Sequence, residues 1–136
     1  MSLSESERNI VVCRELEKAQ RTFDDVLFCA GEGKWETAAN RLYYALFHAM
    51  SALLVHDGHQ VKSHRGILAM FGEHYVKTEI FAKADGSLLS DLVIMRDNAD
   101  YNCFFDVSEQ DIVDGIAIAA DFIKAIEQLI AERNIC

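Results

Sequence analysis

Apolar residues recur along most of this chain at the three-and-four spacing of an α-helix, most densely in Lys34 to Val55, KWETAANRLYYALFHAMSALLV. Drawn as a helix, Leu42, Leu46, Ala49 and Leu53 form one apolar row, and Tyr43, Phe47, Met50 and Leu54 form the next. Two adjacent apolar rows predict a helix with neighbours on more than one side, around which the rest of the chain packs. Between them and the solvent lies a narrow polar row, Arg41, Tyr44 and His48, followed by Ser51. It has two readings. Either Arg41 and His48 reach solvent or a bundle partner while Tyr44 packs with its hydroxyl exposed, or the row lines a groove shared with another helix.

The flanking pattern is also helical. Past a frayed start over residues 1 to 5, a first helix is predicted from about Ser6 to Ala30, with Val12, Leu16, Ala19, Phe23, Val26 and Ala30 on one face. Gly31-Glu-Gly33 ends it, and so short a connection makes the second helix its antiparallel neighbour. His56 to Lys62 reads as a loop. Ser63 is a plausible cap for a third helix of about thirteen residues bearing Ile67, Met70, Phe71 and Tyr75. The pattern breaks from Lys77 to Gly86, and a fourth helix is predicted from Ser87 to Tyr101, with Leu88, Leu92, Met95 and Ala99 in one row and Leu89 and Val93 beside it. Asn102 to Val107 reads as a loop. Ser108-Glu-Gln-Asp111 matches a capping box, and the last helix, Glu109 to about Arg133, has the clearest stripe: Ile112, Ile116, Ala119, Ile123, Ile126 and Ile130. No segment has strand periodicity. The predicted fold is all-α, one domain over residues 1–136, an up-and-down four-helix bundle with an additional short helix.

Composition sharpens this. The absence of proline and the presence of only seven glycines favour long helices over a turn-rich β fold. A net charge of −9, from 22 acidic and 13 basic residues, means that nucleic acid would have to be met by a local basic patch. No apolar run reaches the roughly 18 residues of a membrane span, and the start MSLSESERN lacks a signal-peptide pattern, so the expected location is cytoplasmic. Cys13, Cys29, Cys103 and Cys136 are widely spaced and read as reduced, mostly buried thiols, with Cys136 a candidate reactive one.

Candidate chemistry is sparse. His56, His59 and His64 fall in and after a glycine-containing loop with no cysteine nearby, and no Glu-x-x-His pair exists for a di-iron bundle, so no metal site is predicted. No glycine-rich phosphate loop or GxSxG elbow is present, and no cofactor is expected. The fourth helix ends in a dense polar cluster, Arg96-Asp97-Asn98-Ala99-Asp100-Tyr101-Asn102. Arg96 and Asp100 can pair one turn apart, as can Asp97 and Tyr101 on the adjacent face. On composition alone this is a charged helix end whose pair contributes only a few tenths of a kcal/mol.

Three separated stretches, AANRLYYALFHAMSALL, KSHRGILAMFGEHYV and RDNADY before a long final helix, together resemble the HEPN superfamily, in particular its small stand-alone bacterial and archaeal members, over roughly Glu32 to Asn134. The resemblance implies a helical bundle, a homodimer, and a partner containing a minimal nucleotidyltransferase in a toxin and antitoxin pair. It also implies a site. Many members are metal-independent endoribonucleases with an arginine, a polar residue and, a few residues on, a histidine, two copies meeting across the dimer. Carried over, the arginine is Arg96 and the polar residue Asp97. Where the histidine is expected the chain has Tyr101, Asn102 and Cys103. Cleavage through the 2′-hydroxyl wants a base titrating near neutrality, as imidazole does and a free phenol at about 10 does not. His48 or His64 could serve only if the fold brings one beside Arg96. In related toxins a tyrosine just past the histidine receives AMP from the partner, and Tyr101 lies near that place without matching its offset.

The leading expectation is therefore a dimeric nucleotide- or RNA-binding module. Arg96 and Tyr101 are its central residues, with Arg41, Tyr44, His48, His64, Arg65, Asp97, Asn98 and Asn102 around them. Arg41, Lys62, Arg65 and Arg96 could form a basic rim. The alternatives are an endoribonuclease with the motif histidine replaced, and a structural helical adaptor. Arg96, read as an exposed residue at a helix end, is expected to be dispensable for folding.

Overall fold

In the computed structural model, which describes residues 3–132 apart from the side chains of His64 and Arg65, the chain is all-α. Five α-helices follow in order: α1 Glu5–Gly31, α2 Trp35–His56, α3 His64–Phe71, α4 Lys83–Tyr101 and α5 Glu109–Ala131. No strand occurs among the described residues. α2 is the hub, in contact with α1, α3, α4 and α5. Its two apolar rows explain this: Leu42, Leu46, Ala49, Leu53, Met50 and Leu54 are all buried. The alanines between them, Ala38, Ala39, Ala45 and Ala52, are buried too and keep the neighbouring helices close. Gly115 of α5 serves the same end, since a Cβ there would sit 2.9 Å from Leu42 Cδ1.

The helix ends follow their local chemistry. α1 begins at Glu5, earlier than expected, because Ser4 and Glu7 form a reciprocal capping box, while residues 1 and 2 of the expected frayed start lie outside the described residues. Gly33, at φ 72°, makes the tight turn into α2. Ser63 caps α3 by accepting from the Gly66 amide, and Ser108 and Asp111 form the predicted box on α5.

Two departures are informative. The third helix has the expected extent, but its last five residues, Gly72–Val76, form a π-helical turn. That turn places Tyr75 so that its hydroxyl donates toward Asp57 Oδ2 at 2.7 Å and Leu53 O at 3.2 Å. α4 starts one turn before Ser87, with Asp85 accepting from the Ala82 amide. Gly86, which looked like a breaker, is helical and lets Val76 approach, a Cβ there meeting its methyls at 3.4 Å. The aromatic rings of Phe71, Tyr75, Phe81 and Phe122 pack together beneath, with neighbouring centroids 4.8 to 5.3 Å apart.

The cysteines differ from expectation. Cys29 and Cys103 are free, but Cys29 is half-buried and Cys103 exposed, and Cys13 is disulfide-bonded. Cys136 lies outside the described residues. No described helix is long and apolar enough to cross a membrane.

Candidate functional site

The end of α4 packs across the first turns of α2, and α3 closes the third side. Between them is a cleft of about 770 Å³ lined by Tyr43 and Tyr44 of α2, Ile67 and Leu68 of α3, and Val93, Arg96, Asp97, Asn98, Tyr101 and Asn102 around the end of α4. Arg96 is its centre. Its guanidinium carbon lies 4.1 Å from the centroid of the Tyr43 ring, a cation–π arrangement. Asp97 and Asp100 approach its terminal nitrogens at 3.2 and 3.7 Å. Only 15% of the side chain is exposed, and its buried Nε has no hydrogen-bond partner. The sequence reading of Arg96 as an exposed helix-end charge is thereby corrected: the apolar face of Tyr43 and the wall of α2 cover it.

Tyr43 was placed in the core row and not in the site. It is both. Only 5% of it is exposed, and burial pushes its phenol above the ordinary tyrosine value, against the nearby Arg96 charge, which pulls the other way. Tyr43 is therefore a neutral phenol near pH 7 and no general base. The adjacent pair Tyr43-Tyr44 was the signal available: two successive aromatics on a helix cannot share one face, so one had to look beyond the core. Tyr44 stands edge-on to Tyr43 with centroids 5.0 Å apart, and Arg41 lies over the Tyr44 ring at 5.0 Å.

Asn40, also unflagged by the sequence, ties the two arginine neighbourhoods together. Its amide nitrogen donates to Asp100 at 3.0 Å, while its Oδ1 accepts from Arg41 Nη2 at 2.7 Å and Nε at 3.1 Å. The Arg41, Tyr44 and Arg96 group is thus cross-braced between α2 and α4. Asn98 is half-buried on the cleft wall. Asn102 accepts from the Phe104 amide at 3.0 Å, shaping the turn past α4, and Tyr101 stands 80% exposed at the mouth.

The histidines do not converge here. His48 leaves the polar row toward α1, its Nδ1 2.7 Å from Glu15 Oε2, and it does not line the cleft. The expectation that it joins Arg96 is corrected; the polar row of α2 splits, Tyr44 facing α4 and His48 facing α1. His64 and Arg65 open α3, but their side chains lie outside the described residues. Lys62 lines a different cavity, so a rim of Arg41, Lys62, Arg65 and Arg96 does not form as one patch. His56 pairs with Asp57 at 2.8 Å, and His59 stacks on His74 at 3.8 Å. Among the described residues no three histidine, cysteine, aspartate or glutamate side chains gather as metal ligands.

The arginine to which the sequence resemblance points, Arg96, lies near the end of α4, the helix that precedes the long last one. The model of the HEPN domain matches residues 14–129. The chain belongs to the HEPN family. The match begins within α1, further toward the N-terminus than the motifs that suggested it. The chain is 33% identical to a UPF0332 protein of Thermotoga maritima, over 96% of this chain and 97% of that one. It is 22% identical to a Methanocaldococcus jannaschii protein named "Putative toxin", over 88% of this chain and 82% of that one. A UPF0332 protein of Archaeoglobus fulgidus is 27% identical, over 88% of this chain and 94% of that one.

Proposed function

We propose that this HEPN chain is a single-domain, homodimeric, cytoplasmic module that binds a nucleotide or RNA segment in the Arg96 cleft and acts with a nucleotidyltransferase partner in a toxin–antitoxin system. The observation that carries the proposal is the state of Arg96: a guanidinium held rigidly on an aromatic face with one buried N–H unmet. An unsatisfied buried donor costs about 1–3 kcal/mol, which marks this guanidinium as held for more than its own packing, and a phosphate or base edge entering the cleft would meet its terminal nitrogens in competition with Asp97 and Asp100. Around that cation stand what a nucleotide uses, the faces of Tyr44 and Tyr101 for stacking and the amides of Asn98 and Asn102 for base edges. The toxin association rests on the family and on the name of the M. jannaschii relative.

Dimerisation is supported by what surrounds the mouth. Tyr101, Phe104 at 93% exposure and Ile94 at 55% are left in water along and just past α4, where a second copy would cover them. The charge balance favours binding over cutting. Arg96 faces Asp97 and Asp100, no described imidazole lines the cleft, and Tyr43 holds its proton.

Two measurements test this. Sedimentation at tens of micromolar should give a dimer, and a Phe104→Asp variant should shift it toward monomer; a wild-type monomer removes the composite cleft. Pure protein incubated with a labelled tRNA pool in EDTA should bind it without cutting it. Arg96-dependent cleavage would instead make this a ribonuclease.

A further inference from the structure

A second cavity, of about 600 Å³, lies between α1, the C-terminal half of α2 and the loop after it, and it shares no lining residue with the Arg96 cleft. Its size is that of a small-molecule site. Leu3, Val11, Phe47, Val55 and Val61 give it apolar walls. Three polar features make it more than a packing gap.

The first is Ser51. It is 4% exposed, it lines the cavity, and its hydroxyl has no hydrogen-bond partner. A serine within a helix ordinarily bonds back to the carbonyl one turn earlier, and this one does not. The second is charge. Arg8 from α1 and Lys62 from the loop both line the cavity, and neither is ion-paired among the described residues. In a chain of net charge −9, a cavity lined by two unpaired cations against one carboxylate, Glu15, is locally positive. The third is the fate of the acid in the same wall. Glu15 Oε2 lies 2.7 Å from His48 Nδ1, so that oxygen already has a partner.

We infer that this cavity is a binding site for a small amphipathic organic anion. An aliphatic or aromatic body lies against Val11, Phe47 and Val55, its carboxylate or phosphate head reaches Arg8 and Lys62, and Ser51 donates to it from the α2 wall. The site stands independently of the Arg96 reading.

The experiment is an amide-resolved NMR titration of the full chain with octanoate and octyl phosphate, with methyl octanoate as the uncharged control. The expected result is saturable shifts at Val11, Ser51, Val55 and Val61 for the two anions, with the ester weaker. An Arg8→Gln/Lys62→Gln variant, altered only at unpaired side chains on the rim, should keep its Tm and lose about tenfold or more in affinity for the anions, as expected for lost charge-assisted bonds. Arg96→Ala should bind them as wild type does. Comparison of the carboxylate with the phosphate shows which head the site prefers. Ester binding as tight as the anions, unchanged affinity in the double variant, shifts confined to α4, or no shift with either anion would each overturn the assignment.

Discussion

Two aromatic clusters flank α2, and they are built to opposite ends. In the one formed by Phe71, Tyr75, Phe81 and Phe122, every ring is buried and the polar atom is met: the Tyr75 hydroxyl reaches both Asp57 and Leu53. In the other, Tyr43, Tyr44 and Tyr101 surround a cation whose Nε has no partner and whose carboxylates stand at 3.2 and 3.7 Å. The closed cluster is finished as core. The open one carries unmet hydrogen-bonding capacity and exposed rings, and that residue of unspent interaction is where a ligand gains.

The contrast predicts a gradient of effects. Phe71→Ala, in the closed cluster, should cost about 4 kcal/mol of stability in a denaturant titration, since a buried ring is lost and its cavity remains. Tyr75→Phe keeps the ring and loses only the hydroxyl's bond to Asp57, since Leu53 O still accepts from the Asp57 amide and Asp57 still pairs with His56, so about 1 kcal/mol should go. In the open cluster the order reverses between stability and binding. Arg96→Ala gives up a cation–π contact but also removes an unsatisfied buried donor, and the net change in stability should stay within about 1 kcal/mol. A large loss there would mean that Arg96 is core and that the two clusters do not differ.

Smaller still is a pH effect. Because burial raises the Tyr43 phenol above its unfolded value, its contribution is complete below about pH 10 and is lost as pH rises through the higher folded value. Tyr43→Phe has no such proton to lose, so its stability should fall less steeply than wild type on the alkaline side; parallel slopes would contradict the assignment. Tyr101→Ala, at an 80% exposed position, should shift Tm hardly at all, within about 0.5 kcal/mol.

How much of this the sequence disclosed follows the same division. α2 as hub was legible from Leu42, Leu46, Leu53 and their neighbours, and the caps at Ser63 and Ser108 from local spacing, because these depend on residues close in the chain. Arg96 and its pairing with Asp100 were legible from one helical turn and from the HEPN resemblance. The stacking of Arg96 on Tyr43 was not, because it spans α2 and α4 and depends on which of two successive tyrosines faces the core. The direction of His48 was hidden likewise, since its partner Glu15 lies on another helix. The π-helical turn at Gly72–Val76 and the early start of α4 answer to each other through Val76 and Gly86, a contact that no local pattern announces.

The most direct test of the account is the affinity of a fluorescein-labelled RNA, read by anisotropy at fixed salt, for wild type and Arg96→Ala with their Tm values measured alongside. The account predicts a loss of about tenfold or more in affinity, as expected of a charge-assisted contact, at nearly unchanged Tm. Equal affinities at equal Tm would contradict it and leave the Arg96 cleft a structural feature.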